Sequence, residues 1–241
     1  YDPATGAWTA GPPLNQGRSQ YSAVRLADGR VLVAGGYGSG VPVNSVEIYD
    51  PALNAWTTAA PMGTVRSWFK LALLSDGRVL AAGGSDGAGY LSSAEIYNPT
   101  TNAWSPATSM SEGRAGATGA TLNDGKVLIM GGFGPSATAE IYNPATDSWT
   151  QAGSMSVGRA IAGSALLPDG KVLITGGSGD ATAEVYDPVT NAWSATGAMT
   201  VPRNVHAVVL VNGTALVIDG ENSSTDFALT EIYDAATNSW R

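Results

Sequence analysis

Tyr186-Asp187-Pro188-Val189-Thr190-Asn191-Ala192-Trp193 is one of six stretches that open on a tyrosine and close on a tryptophan seven residues later. The others run from Tyr1 to Trp8, Tyr49 to Trp56, Tyr97 to Trp104, Tyr142 to Trp149 and Tyr233 to Trp240, with a period of 44–48 residues. Six of the nine tyrosines and six of the seven tryptophans fall in this pattern, so the fold is built from a repeat. Within the stretch proline fixes φ, and Asp and Asn side chains bond the nearby backbone. That chemistry makes a tight turn between two strands.

The rest of the unit keeps the same phase. Ten residues after each of the first five tryptophans stands an arginine: Arg18, Arg66, Arg114, Arg159 and Arg203. An apolar run follows, then Asp28-Gly29, Asp76-Gly77, Asp124-Gly125, Asp169-Gly170 or Asn212-Gly213. Asp-Gly or Asn-Gly between β-forming residues is a hairpin signal, because both turn positions need positive φ. A second apolar run ends in Gly35-Gly36, Gly83-Gly84, Gly131-Gly132 or Gly176-Gly177, and in the fifth repeat in Asp219-Gly220. Glu47, Glu95, Glu140, Glu184 and Glu231 each stand two residues before a tyrosine. Each unit therefore reads as four short antiparallel strands, and no segment reads as an amphipathic helix.

Four strands, a closing diglycine, then Tyr and Trp at fixed spacing: the chain resembles the Kelch repeat five times over. The resemblance implies an all-β fold, a five-bladed β-propeller of four-stranded antiparallel blades around a central channel. The expected blades span approximately residues 9–56, 57–104, 105–149, 150–193 and 194–240 of one domain covering 1–241. Six Trp strands serve five blades, and the strand around Trp8, in residues 1–8, is expected to close the ring. The start at Tyr1, in mid-repeat, is read as that of a mature form, a fragment or an engineered piece.

Composition excludes several chemistries. There is no cysteine and a single histidine, His206, so disulfides and thiol chemistry are absent and zinc lacks its usual ligands. Some Kelch-like propellers resemble galactose oxidase, whose copper-radical chemistry needs two His and a Cys cross-linked to Tyr; this chain lacks them. No cofactor or metal is expected. With 20 acidic against 12 basic residues the protein repels nucleic acid, and no run is long enough to insert in a membrane.

The periodic residues read as scaffold, because a chemical site needs one constellation and not five copies. Trp8, Trp56, Trp104, Trp149, Trp193 and Trp240 are expected between blades, with Met62, Met110, Met155 and Met199 as filler rather than a soft-metal stripe. The Arg and Glu sets read as buried bridges, the alternative being a ring of arginines that binds an anion in the channel. The diglycines are not phosphate loops, since no helix follows them.

Function is expected where the repeat is broken. The gap from diglycine to Glu is 11 residues in repeats one, two and five, but 8 and 7 in repeats three and four. The same three repeats carry large or polar residues after the Arg: Gln20-Tyr21, Trp68-Phe69 and Asn204-Val205-His206. Antiparallel connectivity puts these loops on the face opposite the Asp-Gly turns. In a closed ring, repeats five, one and two adjoin as one sector. The candidate ligand residues are Tyr21, Tyr37, Trp68, Phe69, Asp86, Tyr90, Asn204, His206, Asn222, Asp226 and Phe227, with Phe133 and Ser178 as controls in the opposite sector. His206 is expected to give a pH dependence near 6–7 if it meets the ligand. The favoured reading is a non-catalytic module binding a protein or a glycan. The alternatives are a sugar isomerase or lyase using loop carboxylates such as Asp86, Asp180, Glu221 or Asp226, and a purely structural propeller block.

Overall fold

A computed structural model describes residues 2, 4–134, 136–222 and 225–241; Tyr1, the first member of the tyrosine series, lies outside them. Five four-stranded antiparallel sheets form the blades of a propeller, and no helix occurs among the described residues. The first blade consists of Ser22–Arg25, Val31–Ala34, Val46–Asp50 and Ala55–Ala59, from channel to rim. The second holds Lys70–Leu73, Val79–Ala82, Ala94–Asn98 and Ala103–Ala107. The third holds Thr118–Thr121, Val127–Met130, Ala139–Asn143 and Ser148–Gln151, and the fourth Gly163–Leu166, Val172–Thr175, Ala183–Asp187 and Ala192–Ala195. The fifth is Ala207–Val211, Thr214–Ile218, Thr230–Asp234 and Ser239–Trp240.

Ser239–Trp240 therefore completes the fifth blade, pairing Tyr233 with Trp240. This corrects the expectation that residues 1–8 do so. Trp8 is 81% exposed, and in its segment Asp2 bridges Ala7 rather than a strand of the fifth blade. Two strand residues suffice at the C-terminus because Trp240 is anchored twice. Its ring stacks on Tyr233 at 5.2 Å, and its indole N–H donates to the Gly197 carbonyl at 2.7 Å.

The tyrosine–tryptophan turn is the same in all five blades. The rings lie 5.0–5.2 Å apart, tilted against each other. Each tyrosine hydroxyl donates to a side chain five residues on: Asn54, Asn102, Asp147, Asn191 or Asn238. Those acceptors sit at positive φ, which Asn and Asp tolerate better than other side chains. Burial, and then Asp147 beside it, pushes the Tyr142 phenol well above its usual range.

The arginine–glutamate pairs brace each blade from inside. Arg18–Glu47, Arg66–Glu95, Arg114–Glu140, Arg159–Glu184 and Arg203–Glu231 meet at 2.7–3.2 Å with both partners buried. Each guanidinium also donates to two carbonyls flanking the loop between the second and third strands, Gly176 and Thr182 in the case of Arg159. The Nη groups are thus committed to partners within the blade, and although the Nε–H of Arg18, Arg159 and Arg203 has no partner it is buried, so none of the ladder faces an anion in the channel.

Four apolar cores lie between successive blades. Leu32, Met62 and Tyr97 belong to the first, Leu80, Met110 and Tyr142 to the second, Leu128, Met155 and Tyr186 to the third, and Leu173 and Tyr233 to the fourth. The diglycines make the close approaches. Gly83 adopts φ 70°, and a Cβ there would strike the Arg114 carbonyl of the next blade. Gly84 N–H donates to that same carbonyl at 2.7 Å.

Candidate functional site

Around the channel mouth the residue two after each arginine adopts positive φ, from 52° to 67°: Gln20, Trp68, Gly116, Ile161 and Val205. For a branched side chain this conformation costs roughly 1–2 kcal/mol, and it is retained because it builds a hydrogen-bonded bracelet. Trp68 N–H donates to Gln20, Gly116 to Trp68, Ile161 to Gly116 and Val205 to Ile161. The same twist turns the Trp68 side chain onto the variable-loop face.

Among the described residues, the long loops of blades one, two and five make matching bridges. In blade one Tyr37–Gly38 pairs with Val41–Pro42, and Tyr37 also bridges Ser19. In blade two Ser85 bridges both Ser67 and Tyr90, and in blade five Glu221 bridges both Asn204 and Asp226. Three residues more than in blade three, and four more than in blade four, thus raise a small hairpin above the blade. Asp86 shapes this turn in blade two: its carboxylate accepts from the Ala88 and Gly89 amides at 2.8 and 2.9 Å, which holds its pKa below the usual range.

Between these hairpins lies a cavity of about 430 Å³, lined by Tyr37, Ser67, Trp68, Ser85, Tyr90 and Phe133 among others. Trp68 meets Phe133 edge-on at 5.8 Å, and Tyr90 lies 6.1 Å from the same ring. The patch therefore spans blades one, two and three. Phe133, expected in the indifferent sector, stands at its centre. The signal for it was present in the sequence: Phe133 directly follows a diglycine, as Tyr37 does.

The other candidates are dispersed. Phe69 is mostly buried in the core between blades one and two and also borders the channel cavity. Tyr21 is half-exposed and lines the channel with His206 and Lys70 in a cavity of about 300 Å³ that shares Gln20 and Trp68 with the aromatic one. Burial lowers the Lys70 ammonium pKa there. Asn204, Asn222, Asp226 and Phe227 belong to the fifth-blade hairpin and its neighbours, away from the aromatic cavity. The Asn204 side chain accepts from the Gly179 amide, and Phe227 lies under the Arg203 guanidinium at 5.7 Å.

His206 is packed between blades four and five, 2.7 Å from the Thr175 hydroxyl. Burial, with Arg203 adding its charge, lowers its pKa to about 4, so the expected titration near pH 6–7 is displaced. Between about pH 6.5 and 4 the unfolded chain binds a proton that the folded chain refuses. Stability attributable to His206 is therefore full above about pH 6.5 and falls as pH drops, by about 3 kcal/mol over the window. Urea midpoints at pH 7 and 4.5 measure this, and His206→Gln should show a smaller difference between them; an equal difference would refute it.

A cleft of about 470 Å³ lies on the Asp-Gly face between blades one and two. Its charges are already paired, Arg30 with Asp28 and Arg78 with Asp76, both at 2.7 Å. A cleft of the same repeat positions, with Asp124, Asp169 and Asp187, recurs between blades three and four. It follows from blade spacing and singles out no ligand.

No curated protein sequence matches the chain significantly. Among solved structures it is similar to one described as "Structure of YjhT", with TM-score 0.83 and 17% identity. The match covers 98% of this chain and 87% of that one. At this identity the likeness concerns the fold alone. The family model described as Kelch motif matches residues 18–63, 71–111 and 114–156, more than half of the chain. With that match and the five repeated blades, the chain belongs to the Kelch family.

Proposed function

We propose that this propeller is a non-catalytic binding module whose variable-loop face takes a neutral glycan on the patch of Tyr37, Trp68, Tyr90 and Phe133. The observation that carries this reading is the convergence of four aromatic rings from three blades on one cavity of about 430 Å³. Aromatic faces cover the C–H faces of a sugar ring, while hydroxyls such as those of Ser67 and Ser85 fix its orientation. The net charge of −8 disfavours acidic sugars. A non-catalytic role is supported by Asp86, the candidate acid nearest the patch, being committed to its own turn.

Titration with neutral oligosaccharides, followed by tryptophan fluorescence and calorimetry, tests this. Trp68→Ala and Phe133→Ala should each weaken binding about 30-fold, roughly 2 kcal/mol, as centrally placed aromatics do. Val189→Ala, on the Asp-Pro turn face, should leave it unchanged. Sugar binding indifferent to both aromatic changes, or turnover of the sugar, would sink the reading.

A further inference from the structure

The innermost strands all begin on the fourth residue after an arginine: Ser22, Lys70, Thr118, Gly163 and Ala207. Four of these are small and uncharged, and one is a cation. Ser22 Oγ accepts from the Leu71 amide at 3.0 Å, and the Thr118 hydroxyl pairs with that of Ser164 at 2.7 Å. Beside Gly163 lies the His206 ring, so close that a Cβ there would strike it. That imidazole is tied to Thr175 and is uncharged near neutral pH.

Lys70 has no such partner. Among the described residues, no hydrogen bond or ion pair engages its ammonium. The channel cavity of about 300 Å³ that it lines contains no Asp or Glu, and Tyr21 and His206 are its other ionisable side chains. The strands packed most closely against Lys70–Leu73 are Ser22–Arg25, Val79–Ala82 and Thr118–Thr121. Their one ionisable side chain is Arg25, at the far end of its strand and of the same sign as Lys70. Glu95, on the strand beyond Val79–Ala82, is committed to Arg66 at 2.9 Å.

The other two lysines of the chain are the reverse case. Lys126 and Lys171 directly follow Asp-Gly turns on the opposite face, exposed to solvent, with Asp124 at 2.7 Å and Asp169 at 3.8 Å. An amine kept from water with no anion beside it holds its proton weakly, because only solvent or a counter-ion stabilises the charge. At Lys70 burial acts alone, and it lowers the pKa. A lysine so placed offers its lone pair at neutral pH, the condition under which lysines attack carbonyl carbon.

We infer that Lys70 is a covalent capture site for small uncharged aldehydes, which enter the channel cavity and condense with its amine as a reversible imine. The Nζ lone pair adds to the carbonyl carbon while the carbonyl oxygen gains a proton from the nitrogen. The nitrogen then gives up its second proton, the carbon–oxygen bond breaks, and one water leaves. Hydrolysis by the same route releases the aldehyde. A volume of about 300 Å³ suits a small partner, and walls without a carboxylate or a second unpaired cation suit an uncharged one.

Reductive trapping of the folded chain with propanal and cyanoborohydride at pH 7 tests this. Peptide mapping then tells the three lysines and the α-amine apart. Lys70 should be propylated at least about 10-fold faster than Lys126 or Lys171, the excess of free amine that one unit of lowered pKa supplies. Its rate should level off as pH rises, while theirs climb towards about pH 10. In urea the three should react alike. Ser22→Asp sets a carboxylate on the adjoining strand, and should slow Lys70 by about 10-fold at pH 7 without changing the other two. Phe133→Ala, at the aromatic cavity and absent from the channel lining, should weaken sugar binding without altering the labelling, which separates the two sites. Lys70 reacting no faster than the surface lysines would overturn the inference. So would protection of Lys70 alone by acetate, which would make the site an ammonium held for a carboxylate.

Discussion

Arg159→Met is expected to lower the free energy of unfolding by about 3–5 kcal/mol, because it strands a carboxylate in the protein interior. Arg159 and Glu184 meet at 3.2 Å with almost no exposed side-chain surface. The same guanidinium ties the Gly176 and Thr182 carbonyls, so its loss also leaves two acceptors short of a donor. Changing both partners, Arg159→Met with Glu184→Leu, should recover a large part of the loss. The pair contributes geometry more than net energy, since desolvation offsets much of its attraction. Guanidinium denaturation of the single and double variants measures this. A single variant within about 1 kcal/mol of the parent would show the ladder to be dispensable. Sugar binding should be unaltered, because Arg159 is absent from the lining of the aromatic cavity.

A matched pair of core truncations should divide sharply. Leu128→Ala is expected to cost about 3 kcal/mol, within the usual 2–5 for a buried leucine that leaves a cavity. Leu128 is fully buried between the third and fourth blades. Leu216 holds the corresponding place in the fifth blade, three residues before Asp219, and there it is only half-buried. Leu216→Ala should cost about 1 kcal/mol, for area already partly in water. Denaturant midpoints of both variants settle the matter. Equal costs would mean that the fifth blade is as well covered as the third.

The repeat was legible because its chemistry is local. A Tyr–Trp pair seven apart, a turn rich in Asp, Asn and Pro, and Asp-Gly between β-formers each dictate their own short stretch. Five copies then dictated strands, blades and the Arg–Glu braces, all of which join residues of one repeat. The uneven loop lengths were equally plain in the sequence, and they do raise hairpins on blades one, two and five. Tyr37, Trp68 and Tyr90 could be chosen on that ground, and all three line the aromatic cavity.

What failed was whatever depended on relations between repeats. Phe133 was set aside because its own loop is short, yet blade three stands next to blade two and brings it to Trp68. Phe69 and His206, chosen as ligand residues, border the channel cavity but are mostly buried, because alternation along a short strand does not say which face the next blade covers. Joining blade five to blade one was an assumption of ring closure, and the Trp8 strand was chosen to close it for its length. Pairing is decided by register and anchoring instead, which favour Trp240 through its ring contact and its bond to Gly197. Sequence by itself determined the content of each blade, because every interaction that defines a blade recurs within one period. Tertiary structure alone decided the order of contacts around the channel, because the faces that meet there belong to different periods and carry no mark of their partner.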